Sequence, residues 1–76
     1  TTIQYELLND SKLNITIFDM LGNIVNELYD GFQTSGNKNI KWDARNSSGE
    51  IVSAGIYFYK IQVGNSSQVK RMMLLK

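Results

Sequence analysis

Apolar and polar residues alternate along almost the whole chain. That period of two constrains the fold most, because only an extended strand sends successive side chains to opposite faces. Ile3, Tyr5 and Leu7 alternate with Gln4 and Glu6, and Leu13, Ile15 and Ile17 with Asn14 and Thr16, out to about Asp19. Between Asn37 and Trp42, Ile40 and Trp42 point one way and Lys41 the other. The strongest run is Ile56 to Val63, with Tyr57, Tyr59, Ile61 and Val63 on one face and Ile56 and Phe58 on the other. Val69 to Leu75 reads as a final strand, and Ile51-Val52 as a brief one. In the segment Ile24 to Tyr29, residues Ile24, Val25, Leu28 and Tyr29 also fit one face of a short helix. So few residues rarely hold a helix without strong caps, and a short, irregular strand is expected there.

Turn-forming residues separate these runs. They are Asn9-Asp10-Ser11-Lys12, Gly22-Asn23, a loop from Gly31 to Gly36, the polar stretch Asp43 to Glu50, the pivot Ala54-Gly55, and Gly64-Asn65-Ser66. Six or seven short antiparallel strands without a convincing helix mean an all-β sandwich or barrel. The expected core is Tyr5, Leu7, Ile15, Ile17, Trp42, Tyr57, Tyr59, Ile61 and Met73. For the last hairpin, a three-residue loop at 64–66 sets Val69 opposite Ile61 and Met73 opposite Tyr57. A two-residue loop sets Gln68 against Ile61 but turns Met72 and Leu74 inward. The first keeps apolar residues paired across the strands and is the expectation.

With 76 residues, this is one domain, spanning 1–76. The chain has no cysteine and no histidine, which removes disulfides, thiolate metal sites, the usual general base and the commonest zinc ligand. Packing alone must hold it together. A net charge of +1 gives no long-range pull toward nucleic acid or an anionic membrane. The eight Asn and seven Ser suit turns and solvated strand faces. No apolar run approaches the roughly 20 residues of a membrane span, so no direct membrane insertion is expected. Thr1 does not begin a signal peptide, and any export signal is expected upstream.

Nucleophilic catalysis needs a base beside the nucleophile, and no such constellation stands in the chain, so no enzyme and no cofactor are expected. Glu6, Asp10, Asp19, Glu27, Asp30, Asp43 and Glu50 are scattered over turns and strand ends and read as solvated charge. Asp43, Asn46, Ser48 and Glu50 offer oxygens to calcium. Calcium takes about six to eight oxygens, several of them carboxylate, so side chains bonding backbone amides to fix the loop are the better reading. Trp42 and the odd-numbered tyrosines fall on core faces and are assigned to packing. Phe58 and Phe32 fall on the other face, where they would contribute to an apolar patch that marks a partner site. Lys70 to Lys76 reads either as an edge strand guarded by lysine or as a terminal strand offered to a receptor for strand addition.

Several strings resemble a known family. Thr2-Ile3-Gln4-Tyr5-Glu6-Leu7, Leu13 to Gly22, Trp42-Asp43, Ser53-Ala54-Gly55-Ile56-Tyr57-Phe58-Tyr59 and Lys70 to Lys76 are similar, in order, to the C-terminal sorting domain (type A) of type IX-secreted bacterial proteins. The resemblance implies a small immunoglobulin-like sandwich that directs an upstream cargo domain through an outer-membrane translocon, with a sortase cutting it off. Delivery is then to the cell surface or medium by way of the periplasm, in bacteria of the Bacteroidetes type. Under that reading Phe58, Lys70, Arg71, Leu74, Leu75 and Lys76 are the partner-recognition residues. The absence of proline departs from the family pattern, in which a proline-bearing stretch precedes the first strand. Two other readings stand beside it. The immunoglobulin-like domain of the flagellar hook-capping protein shares the Leu-Gly turn, here Leu21-Gly22, and the Gly-Ile-Tyr string. A carbohydrate-binding accessory sandwich of a secreted hydrolase would show an exposed aromatic row.

Overall fold

The computed structural model describes residues 1–75 and contains six strands: β1 (Thr2–Leu7), β2 (Ser11–Phe18), β3 (Ile24–Gln33), β4 (Gly36–Lys41), β5 (Gly55–Val63) and β6 (Ser66–Leu74). They form two sheets. β1 and β4 make a two-stranded antiparallel pair, and the other four lie in the antiparallel order β3-β2-β5-β6. No described residue is helical. The brief strand expected at Ile51-Val52 is a single bridge between Arg45 and Ile51.

The alternation read from the sequence sets the faces. Leu13, Ile15 and Ile17 of β2 have 0% exposure, and Ile3 and Leu7 of β1 lie over them at 2% and 3%. Across β2 these three residues meet Val63, Ile61 and Tyr59 of β5. Trp42, Tyr57, Val25 and Leu74 complete the buried cluster, with Tyr5, Tyr59, Ile61 and Met72 packed around it. Each fully buried aliphatic side chain contributes about 1.5–3 kcal/mol. The small sheet is tied to the large one by a polar contact as well, the Tyr5 hydroxyl donating to Gln33 Oε1 at 2.7 Å.

Two expectations are corrected by packing. The last hairpin turns through two residues, Gly64-Asn65, with Val63 paired to Ser66, Ile61 to Gln68 and Tyr57 to Met72. Gly64 sits at φ 58° in the first central position, where a left-handed residue gives a twist matching that of the strands. This register buries Leu74 and half-buries Met72 while leaving Met73 62% exposed and outside the core. It places Gln68 and Lys70 on the inward face, but β6 is the sheet margin and both remain in water. The penalty read from the sequence therefore does not arise.

The second correction is β3, which runs for ten residues and takes in Gly31, leaving only Thr34 and Ser35 between strands. Tyr29 folds over the backbone at Gly31, and its hydroxyl donates to the Phe32 carbonyl at 2.8 Å. Ile24 to Tyr29 lies in an irregular strand, as expected, and its helix-like spacing comes from two register shifts, which skip Val25 and Leu28 in the pairing with β2. Each added residue reverses the alternation, so inward positions fall three and four apart without a helix.

Two measurements check this packing. Replacing Ile15 by Val should lower unfolding free energy by about 1 kcal/mol, and Ile15→Ala by about 2–5 kcal/mol, in denaturant titrations. Burial raises the Tyr5 pKa above its ordinary 10.0; the Gln33 bond opposes this and nearby Tyr29 adds to it. The unfolded chain then releases this proton first as pH rises. Stability from Tyr5 is present below pH 10.0 and is lost as pH climbs through the raised value. Melting temperatures measured across that window should fall less steeply in Tyr5→Phe.

Candidate interaction surface

The polar loop after β4 is fixed by its own side chains. Asn46 Oδ1 accepts the backbone amides of Ser48 and Glu50, both at 3.0 Å, and the Asn46 amide donates to the Glu50 carbonyl at 2.9 Å. Asn46 thus closes the loop in the amide-bonding way read from the sequence. Asp43 does not: it lies beside the Arg45 guanidinium at 3.6 Å, with both side chains largely in water. No group of three or more acidic residues gathers among the described residues.

Trp42 anchors this loop to the core. Its ring is 2% exposed, its Nε1 donates to the Arg45 carbonyl at 2.9 Å, and it meets Tyr57 edge-on with centroids 5.2 Å apart. The Tyr57 hydroxyl reaches back to the Ser53 carbonyl at 2.6 Å. Both aromatics therefore serve packing. Asp19 closes the β2–β3 turn as Asn46 closes the later loop, its Oδ1 accepting the amides of Leu21 and Asn23 at 2.9 Å each. Sequence reading placed that turn at Gly22-Asn23 and overlooked Asp19. Its signal was an Asp two and four residues ahead of the amides that need an acceptor.

The outer face of the large sheet carries the surface chemistry. Phe58 lies half-buried there, directly across from Phe18 on one side and Arg71 on the other, with Ile24 beyond Phe18. Ile56 and Met73 form the adjoining pair, and Met20 and Leu21 of the turn stand exposed beside them. Phe32 does not join this cluster. It pairs with Lys12, at the opposite end of β2 from Phe18.

Of the other recognition candidates, Lys70 and Arg71 are both exposed on β6 but on opposite faces of it. Leu75 is 79% exposed just past the strand. Leu74 is corrected, because at 5% exposure it packs in the core and its side chain cannot meet a partner. Lys76 lies outside the described residues.

The FlgD Ig-like domain family matches residues 1–67. The chain belongs to the FlgD Ig-like domain family. A crystal structure of FlgD from P. aeruginosa superposes with a TM-score of 0.75 at 25% identity, over 96% of this chain and 59% of that one. The chain thus spans somewhat over half the length of the FlgD it matches. No curated protein matches it. The immunoglobulin-like all-β fold expected from the sequence is the one observed.

The family match overturns the type IX sorting reading and supports the hook-capping relative in its place. The physical reason lies in which residues carried the resemblance. Leu21-Gly22 forms the β2–β3 turn and Gly55-Ile56-Tyr57 starts the central strand β5, so both are scaffold features of an FlgD Ig-like domain. The translocon, sortase and surface delivery rest on the sorting resemblance alone. In this FlgD Ig-like chain, Asn46→Ala should lower the melting temperature through loss of about 1–2 kcal/mol, as two amides lose their acceptor. Asn46→Asp, which keeps the oxygen, should restore most of it in the same scan.

Proposed function

We propose that this chain is a non-catalytic structural module of a flagellar hook-cap type assembly, which holds neighbouring proteins in place and transforms no substrate. The observation that carries this reading is the family match across residues 1–67, with the FlgD likeness extending over nearly the whole fold. The surface is consistent with docking. One group of apolar side chains outside the core, Phe58, Phe18, Ile24, Ile56 and Met73, gathers at one end of the large sheet, whereas Leu8 and Phe32 stand exposed away from it, and contiguous exposed apolar area is what protein partners cover.

The test replaces the matching segment of P. aeruginosa FlgD with residues 1–76. Hook formation is then scored by electron microscopy and swimming in a strain lacking its own FlgD. Hooks and motility are expected to return. A chimera that accumulates at full length in hookless cells would overturn the proposal. Met73→Ser in the chimera should reduce motility while changing unfolding free energy by no more than about 1 kcal/mol, since that side chain is 62% exposed on the marginal strand.

A further inference from the structure

The two margins of the large sheet differ. On one, β3 is interrupted by two register shifts, and the Ser47 amide bonds the Val25 carbonyl from outside at 2.9 Å. Bulges and covering loops are how sheets block their edges. On the other margin, β6 pairs with β5 over all nine residues without a shift, and no loop of the described chain bonds to its free side. It also contains no proline. A margin this long and regular presents alternate amides and carbonyls ready to pair.

Charge decides what can pair there. Lys70 and Arg71 sit at mid-strand with exposed side chains, and the one ion pair among the described residues, Arg45–Asp43, involves neither. Lys60 stands next to them on β5, opposite Val69. A second copy of β6 laid antiparallel about its central residue would set Lys70 directly against Lys70, with each Arg71 opposite Val69 next to them, and like charges directly opposite destabilise a sheet pair. An acidic strand meets the opposite situation. Because Lys70 and Arg71 are adjacent, they project to opposite faces, so two consecutive acidic residues would satisfy both. Val69 and Met73, 61% and 62% exposed on the outer face, offer apolar neighbours to flank them.

We propose that the free margin of β6 takes up an extended segment of a partner polypeptide as a fifth strand, selected by a consecutive pair of acidic residues set among β-branched ones. The main-chain bonds supply affinity and the charged pair fixes register. Peptide binding in vitro and hook assembly in cells are read separately, so either can fail without the other.

The probe is a short, labelled, end-blocked peptide with a central Glu-Asp pair between Val-Thr repeats, followed by fluorescence anisotropy and amide hydrogen exchange. The peptide should bind and should protect amides within Ser66–Leu74. A peptide with a central Lys-Arg pair should not bind. The variant Lys70→Glu/Arg71→Glu should bind the acidic peptide about tenfold more weakly and the basic one better, with its circular dichroism unchanged. A version of the acidic peptide N-methylated on both edges, which keeps its charges but can donate no main-chain bond to a strand, separates strand addition from simple charge attraction. It should not bind, and binding equal to that of the unmethylated peptide would overturn the proposal. So would absence of binding by the acidic peptide. Dimers in sedimentation without peptide, protecting the same amides, would assign the margin to a second copy and overturn it too.

Discussion

Leu13, Ile15 and Ile17 lie at 0% exposure on a strand hydrogen-bonded on both sides, and every other element takes its position from them. β3 and β5 flank β2, β6 is placed by β5, and β1 brings Ile3 and Leu7 down onto the same face. With no disulfide and no histidine or cysteine to hold a metal, this burial is the main favourable term. A chain of 76 residues buries a smaller share of its surface than a larger domain does. Loss of even one side chain from this row is then a large fraction of what keeps the chain folded.

Order in the loops is achieved by a different means. Asp19 and Asn46 each spend one side-chain oxygen on two backbone amides, at the second and fourth residues ahead. Trp42 and Tyr57 each donate to a loop carbonyl from the core side. The long polar stretch after β4 is therefore a built part of the sandwich, pinned through the Arg45 carbonyl and the Ser47 amide. This frees the sheet surfaces for other work. The apolar cluster around Phe58 occupies one end of the outer face, and Lys70 and Arg71 lie along one margin, so surface and scaffold draw on separate residues.

Function was less legible than fold for a physical reason. Of the strings that carried the resemblance, Leu21-Gly22 sits where a turn closes and Gly55-Ile56-Tyr57 where a central strand begins. Any immunoglobulin-like sandwich of this size needs such residues there. They report the scaffold well and discriminate poorly between proteins that share it. The surface side chains that would discriminate are scattered in sequence. Phe18, Ile24, Phe58 and Met73 become neighbours only through the pairing of four strands.

The period-two alternation by itself determined the all-β class, the facing of β1, β2 and β5, and the burial of Trp42 and Tyr57, because side-chain direction along a strand is a local property. The tertiary structure decided the register of β6 and the course of β3. A glycine in the first central position is a local signature of a two-residue turn, but it does not by itself outweigh the cross-strand pairing of Val69 with Ile61 that a three-residue turn offers. The choice rests on Leu74 reaching the core, and on a sheet margin where Gln68 and Lys70 stay wet on the inward side. In β3, Val25 and Leu28 are skipped because β2 fixes the pairing on both sides of them. Register is a relation between strands, and a chain carries it only once its partners are in place.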